Sequence, residues 1–119
     1  MYSFENDRPI YLQISEIIRN DIISGKYAAG EKLPSVRELS VMLKVNPNTL
    51  QKSLAELEEE GLIFTERTNG KFVTNNRNVI ALRRRELLES RISGFITEME
   101  SMGADKHEIT AFIEKNMKG

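Results

Sequence analysis

The sequence predicts a mainly α fold with one small β-hairpin: an N-terminal winged helix-turn-helix over residues 1–75, then a two-helix tail over residues 76–119. Three features predict it. Apolar residues recur at helical spacing in three successive segments before Gly61. Only about two residues separate the second segment from the third, which forces a tight turn between them. After Gly61 the period shortens to that of strands, around an Asn69-Gly70 turn.

The first helix is expected from about Pro9 to Ser24, with Asp7 ahead of it and Pro9 in the first turn, where proline is accepted. Ile10, Ile14, Ile17, Ile18 and Ile22 give it an amphipathic face, and Gly25 ends it. A turn-rich connector, Lys26 to Pro34, follows. The second helix opens on Ser35 as N-cap with Glu38 three residues on, a capping box. Val36, Leu39, Met42 and Leu43 form its apolar face, and it ends near Lys44. The third begins with Asn46 as cap and Pro47 at the first helical position, carries Leu50, Leu54 and Leu57 on one face, and closes at Gly61. Leu62–Thr65 reads as a strand, Glu66–Lys71 as a turn, and Phe72–Thr74 as the returning strand. Ile10, Ile14, Ile18, Leu39, Leu43, Leu50, Leu54, Leu57 and Ile63 are the expected core.

From about Asn76 the helical period resumes. Leu88, Ile92, Phe95, Met99 and Met102 step by 4, 3, 4 and 3, a heptad-like stripe. Gly103 breaks it, Asp105 and Glu108 cap a new start, and Ile109, Phe112, Ile113 and Met117 line a last short helix. The stripe is more apolar surface than one helix hides. Leu88, Ile92, Phe95, Met99, Met102, Ile109, Phe112 and Ile113 are therefore expected to form a dimerisation surface, with a partner helix favoured by the spacing.

Composition narrows the function classes. The chain is 39% hydrophobic and 29% charged, which suits a soluble globular protein. It has no cysteine, so disulfides and thiolate sites are excluded and a cytoplasmic location is the expectation. No apolar run approaches membrane-spanning length, and the first residues do not read as a signal peptide. A lone histidine, His107, on a polar stretch offers no base–nucleophile pair, and no phosphate loop or zinc-ligand cluster occurs; no cofactor or metal is expected, and an enzyme is the least favoured class. Net charge is −1, with 9 basic against 11 acidic residues in 1–75 and 8 against 7 in 76–119. Any affinity for nucleic acid must therefore come from locally focused charge.

Such a focus exists at the start of the third helix. In a helix-turn-helix the N-terminal end of the second helix of the motif enters the major groove. Here that end presents Asn48, Thr49, Gln51 and Lys52. Asn and Gln can pair with adenine, Thr can meet a thymine methyl, and Lys can reach guanine or phosphate. Glu56, Glu58, Glu59 and Glu60 crowd the opposite end, where they would be repelled by DNA, and so orient the helix. Arg37, at the start of the second helix, is placed to face the backbone or groove edge. At the wing tip Arg67 and Lys71 could grip phosphate or enter the minor groove beside Asn69 and Gly70. Arg83-Arg84-Arg85 could touch flanking backbone, although such a run also suits a solvated helix face.

Several separate stretches together resemble the GntR family of transcription regulators. These are Pro9–Ile14, Gly30–Leu39, Val45–Leu50, Leu57–Ile63 and Gly70–Val73, in that order over residues 9–74. The Asn46-Pro47-Asn48-Thr49 start and the short helical tail are similar to the YtrA-type branch. The resemblance implies double-stranded operator DNA as partner, and DNA contacts at Arg37, Asn46, Asn48, Thr49, Gln51 and the wing tip near Asn69 and Gly70. It also implies that residues 76–117 serve dimerisation. Some members carry arginine where this chain has Pro47 and Gln51, so their base preference does not transfer. The expectation is a homodimeric, sequence-specific regulator, most simply a repressor, on a two-fold-related operator. The rival is a winged-helix protein-interaction module, motivated by the net charge. No effector pocket is legible.

Overall fold

A computed structural model describes residues 4–118. The described residues divide into two compact units, the first reaching to Arg83 and the second beginning at Arg84. The elements in chain order are α1 (Ile10–Ile23), α2 (Val36–Leu43), α3 (Pro47–Glu59), β1 (Ile63–Glu66), β2 (Gly70–Val73), α4 (Arg77–Ser101) and α5 (Lys106–Asn116). Mostly helical, with one two-stranded antiparallel hairpin, this is the architecture the sequence predicts.

In the first unit the helix starts follow the capping residues. The Ser35 hydroxyl accepts from the Glu38 N–H (3.0 Å) while the Glu38 carboxylate accepts from the Ser35 N–H (2.9 Å). These bonds hold the Glu38 carboxyl below the usual carboxylate range. Asn46 caps α3 by accepting from the Asn48 N–H (2.7 Å), with Pro47 at the first helical position. Pro9 sits one position earlier than expected, as the N-cap residue of α1. The three-residue turn between α2 and α3, one longer than expected, is closed by Lys44 in the left-handed region (φ 56°). Replacing Ser35 by alanine is expected to lower stability by about 1 kcal/mol. A urea midpoint unchanged from the parent protein would show that the box contributes nothing.

Ile14, Ile18 and Ile22 of α1, Leu39 and Leu43 of α2, and Leu50, Leu54 and Leu57 of α3 share one core with Leu33, Leu62, Ile63 and Val73. Where α1 crosses α3 the buried residues are small. Ser53 Oγ donates to the Tyr11 carbonyl (2.6 Å), and Ser15 Oγ donates to the carbonyl of Tyr11 (2.9 Å) and to Glu56 Oε2 (3.1 Å). Both hydroxyls are thus satisfied at a close helix approach. Val79 and Ile80, at the start of α4, also pack against this core.

One expected core position, Ile10, and one residue of the expected apolar face of the second helix, Met42, are corrected. Ile10 is 46% exposed: it opens α1, and each four-residue step turns a side chain by about 40°, which carries position 10 away from the buried Ile14–Ile22 line. Met42 is 57% exposed, because the buried stripe of α2 runs through Leu39, Ser40 and Leu43, and Met42 lies about 100° from Leu43 around the axis.

β1 and β2 pair from Ile63↔Val73 to Glu66↔Gly70, so Glu66, Gly70 and Lys71, expected in the turn, belong to the strands. The connector before α2 is a third partner. Leu33 N–H donates to the Lys71 carbonyl and Val73 N–H to the Glu31 carbonyl (both 2.9 Å), around a bridge between Lys32 and Phe72. Gly30 closes this join at φ 79°, with its N–H donating to the Val73 and Thr74 carbonyls; a side chain there would meet Asn75.

In the second unit Asp105 caps α5 by accepting from the Glu108 N–H (2.9 Å). Ile109 is buried, whereas Leu88, Ile92, Phe95, Met102 and Phe112 are exposed. Along α4 no described side chain is fully buried. An apolar cavity of about 240 Å³ lies between the helices, lined among others by Phe95, Met99, Met102, Ile109 and Phe112.

Candidate nucleic-acid interface

The α3 helix sorts its side chains by angle. Leu50, Leu54 and Leu57 point into the core, and Asn48, Gln51, Lys52 and Ala55 occupy the opposite, exposed face. Ala55 keeps that face low in its middle, and Glu59 comes onto the same face about 10 Å beyond Lys52 along the axis. The polar end and the acidic end are therefore separated by more than the width of a minor groove. Thr49 is half-buried beside Asn48. Asn46 spends its side-chain oxygen on capping. Lys52 is held in place: its ammonium lies 4.0 Å from the ring centroid of Tyr11 on α1, a cation–π contact that fixes the charge at the exposed face. Arg37 is exposed in the first turn of α2.

The acidic end of α3 is largely neutralised within the unit. Arg19 of α1 forks onto Glu60 (2.8 and 2.5 Å) and also pairs with Glu56 (3.6 Å). Hydrogen bonding to Glu60 raises the Arg19 pKa against the cost of burial. Arg83 Nε donates to the Glu60 carbonyl (3.0 Å) at the end of the helix. Of the four glutamates expected to form a repelling cluster, Glu56, Glu58 and Glu60 are partnered by cations and Glu59 is exposed.

At the wing, Arg67 and Thr68 are exposed at the tip. Asn69 is tied back to Glu66 through its N–H to the carbonyl (3.2 Å) and its amide to the carboxylate (3.1 Å). Gly70 takes φ 100°, which the turn demands of glycine. Lys71, expected to face phosphate, instead turns toward α3 and donates to Glu58 Oε1 (2.7 Å) and Thr65 Oγ1 (2.8 Å). The Lys71 ammonium, with the Thr65 hydroxyl, holds the Glu58 carboxyl below the usual carboxylate range.

Sequence reasoning missed two features. Lys32 lies beside the wing tip, since a side chain added at Gly70 would begin 3.5 Å from the Lys32 Cε. Its place was not legible from periodicity, because a single bridge in an irregular connector leaves none. The inward turn of Lys71, though not its partner, was readable from parity: residues 71 and 73 share a strand face, and Val73 is buried on it.

A helix-turn-helix with a polar, cation-bearing outer face on its second helix, followed by a hairpin, defines the winged-helix DNA-binding class. Residues 10–73 match the family described as bacterial regulatory proteins, gntR family. The chain belongs to the GntR family of DNA-binding transcriptional regulators. It is 34% identical over 116 residues to an uncharacterised HTH-type transcriptional regulator of Bacillus subtilis, YhcF, covering 98% of this chain and 96% of that one. It is 34% identical over 107 residues to the HTH-type transcriptional repressor YtrA of the same organism, covering 90% of this chain and 78% of YtrA. A GntR-family transcriptional regulator from Listeria monocytogenes superposes with a TM-score of 0.91 at 40% identity, covering 96% of this chain and all of that one. The AraR DNA-binding domain, solved in complex with operator, superposes with a TM-score of 0.56 at 30% identity over 62% of this chain and 89% of that one.

Proposed function

We propose that the protein is a homodimeric repressor that acts in the cytoplasm on a two-fold-related operator. The observation that carries the reading is the outer face of α3, where Asn48, Gln51 and Lys52 stand exposed opposite a leucine core. In this reading Asn48, Thr49 and Gln51 meet base edges. Lys52, Arg37 and Arg67 meet phosphate, and the backbone around Asn46, Asn69 and Gly70 comes close to the duplex. The operator complex of the AraR domain supports DNA as the partner, and the repressor named YtrA supports the sign. Dimerisation is supported by Leu88, Ile92, Phe95, Met102 and Phe112, a run of large apolar side chains left exposed in the second unit, with Met99, Ile109 and Ile113 beside them.

Fluorescence anisotropy with a duplex from upstream of the protein's gene, against a scrambled duplex across a salt series, tests this. Preference for the upstream duplex with two chains per site is expected. Lys52→Ala is expected to weaken binding to both duplexes and to reduce the salt slope by about 0.9. Asn48→Ala or Gln51→Ala is expected to cost about 1–3 kcal/mol on the preferred duplex and to relax base preference. Equal binding of both duplexes, insensitive to all three substitutions, would overturn the reading of α3.

A further inference from the structure

The hairpin has two chemically different faces. On one, Phe64 and Phe72 stack with ring centroids 5.6 Å apart. On the other lie Ile63 and Val73, which are buried, and further out the cross-strand pair Thr65 and Lys71. That second face looks toward α3. The Lys71 ammonium donates to Glu58 Oε1 (2.7 Å) and to Thr65 Oγ1 (2.8 Å), and the Thr65 hydroxyl donates to the same Glu58 oxygen (2.7 Å). The three groups close a ring, one each from α3, β1 and β2. The Lys71 side chain is only 19% exposed. A lysine whose head is bound and whose stem is covered is a poor phosphate contact, because reaching a backbone would require breaking two hydrogen bonds and uncovering the Glu58 charge.

We infer that Lys71 is a positioning residue: with Thr65 it locks the wing to Glu58 and so sets the angle between the wing and the reading face of α3. The inference rests on the reading of the hairpin as a DNA-contacting wing and gives that reading its geometry. Glu58 flanks the leucine face of α3, seven residues and about 20° of turn from Gln51, and its partly exposed carboxylate meets the hairpin through Lys71. DNA binding then depends on a carboxylate that bare electrostatics would count as harmful.

The test compares the full chain with Lys71→Met, Glu58→Gln and the exchanged pair Glu58→Lys with Lys71→Glu. The probe is the fluorescein-labelled duplex from upstream of the gene, across a salt series. Lys71→Met is expected to weaken binding about three- to fivefold, the scale of a partly exposed ion pair, with the salt slope unchanged. Glu58→Gln is expected to weaken it likewise, although it removes a negative charge. The exchanged pair is expected to recover most of the lost affinity at the parent net charge, which also guards against a single variant that merely fails to fold. A slope reduced by about 0.9 in Lys71→Met, tighter binding by Glu58→Gln, or no recovery in the exchanged pair would each overturn the inference. A parent protein that shows no salt-dependent binding would overturn the DNA-binding reading of the wing instead.

Discussion

Leu54→Ala is expected to destabilise the winged-helix unit by about 2–5 kcal/mol, measured as a fall in urea midpoint at constant slope. Leu54 sits in the middle of α3 and is almost wholly buried, among a core supplied by all three helices and the hairpin. Truncating it removes the transfer energy of three carbons and leaves a cavity that a close-packed interior closes only in part. Domain stabilities are typically about 5–15 kcal/mol, so this single change removes a large share of the total. The matched control is Met42→Ala on α2. The apolar pattern of α2 includes Met42, yet its exposed side chain should make the change neutral within about 0.5 kcal/mol. Equal losses at the two sites would mean that α2 packs by a face other than Leu39–Leu43.

Ile92→Glu combined with Phe95→Glu is expected to yield a monomer by sedimentation and to weaken operator binding by about a hundredfold or more. Two linked reading heads gain effective concentration that a single head lacks, and the gain commonly reaches that size. In a lone chain Ile92 is 55% and Phe95 40% exposed, so charging them there would remove only part of each side chain's burial. A carboxylate inside a helix–helix interface, by contrast, is a buried charge without a partner. The winged-helix core contains neither residue, so its urea midpoint serves as an internal reference. A variant that still sediments as a dimer would remove the apolar face of α4 from the proposed interface.

Much of the fold was legible because its local signals agree with its tertiary ones. Ser35 with Glu38, Asn46 with Pro47, and Asp105 each start a helix as their side-chain chemistry dictates. The polar outer face of α3 was likewise legible, since its complement, Leu50–Leu54–Leu57, fixes which side turns outward. Partnership across elements was not legible. Nothing local announces that Arg19 neutralises Glu60, that Ser15 and Ser53 meet at a helix crossing, or that Tyr11 holds the Lys52 ammonium. Ile10 and Met42 misled for a related reason: residue type signals apolarity, but burial depends on where the neighbouring element ends.

The join between the connector and the returning strand bears on how the first unit folds. A hairpin of two four-residue strands is marginal by itself in water. Here its outer edge is occupied by Glu31 and Leu33, which precede α2 and α3 in the chain. The last sheet bonds therefore enclose α2, α3 and β1 in one loop, and that closure has an entropic cost recovered only when the core packs against α1. Wing and helices should consequently be lost in one cooperative step. The amide hydrogens of Leu33 and Val73 would then exchange with solvent no faster than those in the middle of α3.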